Sequence, residues 1–252
     1  HLGATPGGLT PGHLTLDGGT LSVDTTGTVS LNVNRGVALA AGGGTFDPNG
    51  AQALVINSVI AGSGNLIKNG SGNLDLQASN TYAGSTTINA GSLLITQDSN
   101  LGAAPGVVTP GHLALNTGGA FDLVVDGTFE LDSNRGIASN GGSIEVAGAR
   151  VLTYNGIIDG TGLETFTFLG AGTLELGGNN TFTSSMRIFG SRMIVSSDSN
   201  LGAGAANINI SSGAILETTA SFATNRSVFL NSGGGVFDVN PGTQLTLSGV
   251  VD

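Results

Sequence analysis

The chain has 252 residues, of which 44 are glycine, none is cysteine or tryptophan, and only 10% are charged. A hydrophobic fraction of 39% supports a core and argues against disorder, while the lack of cysteine excludes disulfides, thiolate catalysis and thiolate metal sites. The net charge of -10, with cations scattered singly, argues against nucleic acid or an anionic lipid surface as partner.

Taken in chain order, the local signal is short alternation. Leu14-Thr15-Leu16, Leu21-Ser22-Val23 and Val29-Ser30-Leu31-Asn32-Val33 come first, then Leu74-Asp75-Leu76 and later Ile208-Asn209-Ile210. Apolar residues two apart face one side of a strand. Clusters of Gly, Asn, Ser and Asp between these runs are turn chemistry. No stretch carries a helical period with caps. No run of 18 or more apolar residues is present, so no transmembrane helix is expected.

The chain also repeats itself about every hundred residues. Leu2-Gly3-Ala4 returns as Leu101-Gly102-Ala103 and Leu201-Gly202-Ala203. Pro11-Gly12-His13-Leu14 returns as Pro110-Gly111-His112-Leu113, and Gly18-Gly19 as Gly118-Gly119. Asn34-Arg35-Gly36 returns as Asn134-Arg135-Gly136 and, more loosely, Asn225-Arg226-Ser227. Residues 1–252 thus read as a single β-helical fragment with copies at about 1–100, 101–200 and a partial 201–252. Strands of this spacing also fit a sandwich or closed barrel, but the long period favours a parallel β-helix. Coils of about 20–25 residues would give about 10–12 coils and a rod of about 50–60 Å. Its core should be a thin column of Leu, Val, Ile and Ala with few large rings.

Residues 62–95 hold the most specific pattern. Gly-x-Gly-x-Leu is followed by Lys68-x-Gly70-x-Gly72-x-Leu74-x-Leu76, then Asn80-Thr81-Tyr82-x-Gly84, then Gly91-x-Leu93. This resembles the passenger-associated β-strand repeat of bacterial autotransporters. A degenerate second copy at 160–194 keeps Gly170, Gly172, Leu174, Leu176, Asn180 and Thr181, with Phe168 in place of Lys68 and Phe182 in place of Tyr82. The resemblance implies a right-handed parallel β-helix, a cell-surface or secreted location, and a C-terminal outer-membrane β-barrel in the parent protein. Passengers of this kind include adhesins, self-associating proteins and enzymes.

Candidate chemical groups are few. His13 and His112 are a full repeat apart and cannot share an ion, so they read as turn histidines. Asp98-Ser99-Asn100 and Asp198-Ser199-Asn200 offer oxygens, but lack the spaced acidic loop that calcium needs and read as Asx-turns. Arg35, Arg135 and Arg226 read as corner arginines bonding carbonyls or a nearby Asp, with their Asn neighbours able to form an amide ladder. Residues 101–200 hold Asp122, Asp126, Glu130, Asp132, Glu145, Asp159, Glu164, Glu175 and Asp198. Glu130 and Asp132 sit two apart, as though on one strand face, yet a glycosidase needs two carboxyls across a cleft. Tyr82, Phe182 and Phe189 read as core or corner rings rather than a sugar-stacking platform. No Gly-x-Ser-x-Gly elbow or phosphate loop is present.

The expectation is a non-catalytic structural or display segment of an autotransporter-type passenger, part of an adhesin. No catalytic, metal or cofactor-binding residue is assigned and no cofactor is expected. A direct glycan-binding or self-associating module is the first alternative, and a polysaccharide-acting β-helix enzyme the second. Glycan, protein or another copy of the chain remain open as partners.

Overall fold

A computed structural model describes residues 2–24, 27–50, 53–116, 122–160, 165–204 and 206–252. The expected Gly118-Gly119 turn and Glu164 lie outside these residues. The described elements are short parallel strands and two 3-10 turns, Asp98–Leu101 and Asp198–Leu201.

The strands are laid in rotation on three faces. Arg35–Leu39, Gly44–Pro48 and Ala53–Ile56 occupy successive faces, and Ile60–Gly62 returns to pair with Arg35–Leu39. Every strand pairing is parallel, as a β-solenoid requires. The third face is an unbroken sheet of ten strands. Along it Val29, Leu54, Leu74, Leu93, Leu123, Ile144, Phe168, Ile188, Ile210 and Leu230 stand in one column. Nine steps from residue 29 to residue 230 make a turn of about 22 residues and, at about 4.8 Å each, a rise of about 43 Å. Residues 29 to 230 alone therefore rise less than the about 50–60 Å read from the sequence for the whole chain.

The other two faces are built of consecutive sheets. A three-stranded sheet ends at Ile60–Gly62 and is carried on by backbone bonds from Thr81 to Ile60 and from Ala103 to Tyr82. By the same order of rotation, a six-stranded sheet resumes that face from Phe129–Leu131. The remaining face has a seven-stranded sheet ending at Ile158–Asp159, bonds from Thr181 to Ile158 and from Ala203 to Phe182, and then a two-stranded sheet.

The unit of this fold is the turn, not the hundred-residue period. Residues a period apart fall on different faces. Leu74 lies in the ten-stranded sheet and Leu174 in the six-stranded one. Ile88 lies in the seven-stranded sheet and Ile188 in the ten-stranded one. The cause is geometric: a hundred residues is about four and a half turns of 22, not a whole number.

Aliphatic side chains dominate the core, with a few large rings among them. Tyr82, Tyr154, Phe46, Phe166, Phe168 and Phe182 are fully buried, as are Lys68, Arg135 and Arg226. Rings fit where glycine keeps the chain close. A Cβ at Gly64 would fall on the Ala40 carbonyl oxygen, so two turns can approach there only without a side chain.

The passenger-repeat motif explains itself in these packing terms. Lys68 turns inward and donates to the carbonyls of Asn69, Gly70 and Ala90 at 2.6, 2.7 and 2.8 Å, tying one turn to the next. Burial brings its ammonium down to about 8, partly offset by the Asp47 carboxylate. Asn80 accepts from the Ile60 amide at 2.8 Å and donates to the Asn100 carbonyl at 2.6 Å, so one side chain bridges three turns. Asn180 repeats this with Ile158 and Asn200.

Tyr82 and Thr86 share a buried bond of 2.7 Å. In the second copy both partners are apolar, Phe182 and Met186, and both are buried. Removing one buried partner strands the other, whereas replacing both is nearly neutral. Tyr82→Phe should therefore lower stability in urea unfolding by about 1–2 kcal/mol. Adding Thr86→Met should recover most of that loss, and an additive double variant would contradict the pairing.

Candidate functional site

The groups singled out by the sequence are mostly structural. Arg135 is buried and donates to both carboxylate oxygens of Asp98, at 2.9 and 3.1 Å, and to the carbonyls of Leu101 and Gly102. Arg226 repeats the grip on Asp198 and the Gly202 carbonyl. Arg35 takes the carbonyls of Leu2 and Gly3 and meets His13 Nε2 at 2.9 Å. These are corner clamps, as expected, and each fastens the loop of the preceding turn.

The Asp-Ser-Asn segments are 3-10 turns rather than simple Asx-turns. Asn100 Oδ1 accepts from the amides of Thr96 and Gln97, and its Nδ2 donates to the Ala78 carbonyl. Asn200 does the same with Ser196, Ser197 and Gly178. Asp98 and Asp198 spend their oxygens on arginine, and no group of three or more metal-ligating side chains occurs among the described residues.

Two expectations are corrected. His13 and His112 lie within strands, Thr10–Leu16 and Thr109–Leu115, not in turns. Each sits in the irregular stretch where the register shifts, between Thr10 and Leu14 and between Thr109 and Leu113, next to a glycine of positive φ. The asparagine ladder is also elsewhere. Asn34 and Asn134 donate to the carbonyls of Pro6 and Pro105, while Asn69, Asn89, Asn116 and Asn140 form the ladder, at 3.0, 2.9 and 2.7 Å. Ladder rungs must be one turn apart, and residues a hundred positions apart are not.

Glu130 and Asp132 do not share a strand face. The strand Phe129–Leu131 ends before Asp132, whose carboxylate closes a turn on the Asn134 amide at 2.8 Å. Glu130 accepts from Asn155 at 2.8 Å. Glu130, Thr153, Glu175, Ile194, Glu217 and Asp238 form one outward row on the six-stranded sheet. Arg192 bridges Glu217 and Asp238, each at 2.7 Å. The row borders a groove of about 390 Å³. Its parallel register was not readable without knowing the turn length.

Tyr82 and Phe182 are core rings, but Phe189 is 38% exposed. Arg187 lies over its ring, 4.7 Å from the centroid. Thr165, Thr167, Arg187, Asn209, Ser211 and Asn231 line a groove of about 350 Å³ beside it. The alternation Met186-Arg187-Ile188-Phe189 places Arg187 and Phe189 outward together, a signal that sequence reading passed over.

His112 provides a pH readout of the clamp. It is buried, its Nε2 has no partner in the protein, and burial followed by the Arg135 guanidinium holds its pKa below 6.5 against the opposing Asp98 and Asp132 carboxylates. Between the folded value and 6.5 the unfolded chain binds more protons, so stability is whole above 6.5 and falls as pH drops through that window. Melting temperatures between pH 7.5 and 5.5 should fall more steeply for the native chain than for His112→Gln; parallel curves would contradict this. Asp98→Ala, which leaves a buried guanidinium without its carboxylate, should cost about 3 kcal/mol or more in urea unfolding at neutral pH.

The passenger-associated-transport-repeat family matches residues 66–95 and 166–188. These are the stretches that contain Lys68, Asn80 and Tyr82, and Asn180 and Phe182. The chain is similar to the adhesin BmaC autotransporter of Brucella suis biovar 1 (strain 1330), with 29% identity over 260 residues covering 94% of this chain. It spans only 8% of the length of that relative. No solved structure matches it. The matched repeats, the alignment along nearly the whole chain and the parallel β-solenoid together support an autotransporter passenger segment with repeats and indicate a cell-surface or secreted location.

Proposed function

We propose that residues 1–252 act as one non-catalytic display segment of an adhesin-like passenger: a rod that carries its side faces away from the cell. The observation that carries this reading is the unbroken ten-stranded sheet, which links the whole stack through parallel backbone bonds. A rod of this kind resists bending because every turn is bonded to the turns on either side of it. The relative named as an adhesin supports the same role. The parent would carry a C-terminal outer-membrane β-barrel, and the winding would be right-handed, as the passenger resemblance implies.

The enzymatic alternative is disfavoured by the carboxylates themselves. Glu217 and Asp238 are held by Arg192, and Glu175 accepts from Thr153 at 2.9 Å. A glycosidase instead needs one carboxyl kept protonated and the other free to attack or activate water.

Sedimentation and hydrolysis test the proposal together. The 252-residue chain should sediment as an elongated monomer and release no new reducing ends from a panel of neutral and acidic polysaccharides. Release of reducing ends that disappears in Glu175→Gln would overturn the non-catalytic reading, and a compact frictional ratio would overturn the rod.

A further inference from the structure

The chain has seven lysine and arginine side chains. Six of them are engaged within the protein. Lys68 and Arg35 hold carbonyls, and Arg135, Arg150, Arg192 and Arg226 hold carboxylates. Arg187 has neither kind of partner among the described residues; its one contact is the face of Phe189. On a surface of net charge -10, an exposed arginine left without a carboxylate stands apart from the rest.

Its surroundings are arranged by register. Thr167, Arg187 and Asn209 stand in one outward column across three turns, and Leu169, Phe189 and Ser211 in the column beside it. The ring attracts the guanidinium through its quadrupole and takes none of its N–H donors in the plane of the fork. The edge of the fork matches a carboxylate in bidentate geometry.

Among the described residues six buried hydroxyls lack a partner, those of Ser58, Ser139, Ser184, Ser191, Ser211 and Thr218, and of these Ser211 lines this groove. Ser211 is only 4% exposed. A buried hydroxyl with no partner is unfavourable unless something in the groove supplies one. Asn209 and Asn231 are only loosely engaged, through long bonds of 3.3 and 3.4 Å to the Met186 carbonyl and to each other. The lining thus offers one positive charge with hydroxyls and amides that both donate and accept. At about 350 Å³ the groove is on the scale of a small-ligand site.

We propose that this groove binds a carboxylate-bearing sugar, a uronate or sialate unit within an otherwise neutral glycan. Arg187 takes the carboxylate, and Thr167, Asn209, Ser211 and Asn231 take ring hydroxyls. A single free cation fits a single negative charge, and the acidic surface around it repels a densely charged polymer. The site rests on the display reading, because it is the rod's side face that carries it.

Calorimetric titration of the full 252-residue chain tests the site with matched sugar pairs: sialyllactose against lactose, and cellobiouronic acid against cellobiose. One acidic sugar should bind at least about tenfold more tightly than its neutral counterpart. Arg187→Gln should erase that preference, and Phe189→Ala should weaken it by loosening the guanidinium. Ser211→Ala should weaken binding several-fold without lowering the melting temperature, a combination that a purely structural serine would not give. Equal binding of acidic and neutral sugars, no binding of either acidic sugar up to about 10 mM, or a preference that survives Arg187→Gln would each overturn the proposal. Any of these failures would leave the sedimentation shape and the absence of hydrolysis as they are, so the display reading is judged separately.

Discussion

Everything in this molecule depends on the backbone hydrogen bonds between one turn and the next. A strand in a parallel stack has no partner within its own turn, so its N–H and C=O groups are satisfied only by the turns on either side. This forces register. Once one turn is placed, each residue meets the same kind of residue above and below, and like packs on like. The column from Val29 to Leu230 and the ladder from Asn69 to Asn140 both follow from it. So does the cost of any side chain at Gly64, where two backbones come too close for a Cβ.

The corners are the weak places in such a stack, because a turn there leaves polar backbone groups unpaired. The chain answers with long side chains that reach across turns. Lys68 collects three carbonyls, Asn80 and Asn180 bridge three turns each, and Arg135 and Arg226 fasten the two 3-10 turns through Asp98 and Asp198. The passenger-repeat motif is thus a stacking device. Its conspicuous residues Lys68, Asn80 and Tyr82 are buried in the rod, which is why the motif specifies a fold.

Strand type was legible from the alternation of Leu14-Thr15-Leu16 and its successors, and parallel stacking from the hundred-residue repeat, with a turn of about 20–25 residues following from that architecture. The arginines were legible as corner residues bonding carbonyls or a nearby Asp, but not their pairing with Asp98 and Asp198, which read as separate turns. Faces were not legible. A hundred-residue period suggests that His13 and His112, or Asn34 and Asn134, share a side of the rod, and they do not. The period and the turn are incommensurate, and only the pairing register reveals that Ile88 and Ile188 lie in different sheets. The same gap hid the groove at Arg187. Its lining comes from four successive turns, at residues 167, 187, 209 and 231, whose adjacency requires the exact length of each intervening turn.

The rotation of equivalent residues around the axis also shapes what the rod can present. A surface feature written once per sequence period reappears on another face, so no side carries a regular row of identical sites. Distinct faces instead carry distinct chemistry: an acidic row on the six-stranded sheet from Glu130 to Asp238, and an Arg187–Phe189 groove among hydroxyls and amides on the ten-stranded one. A long passenger built this way can vary one face without disturbing the stack, since the inward residues alone maintain it.

The central claim is that one uninterrupted sheet links all the turns, including the step from Leu93 to Leu123, which spans the first 3-10 turn. Amide hydrogen exchange measured residue by residue on the whole chain tests it most directly. The account predicts comparable, strong protection along the interior of the ten-stranded sheet, with Leu93 and Leu123 protected like Leu74 and Ile144 and exchange rising only toward the two ends. Fast exchange at Leu93 and Leu123 between two protected blocks would contradict it and would mean two stacks joined end to end rather than one rod.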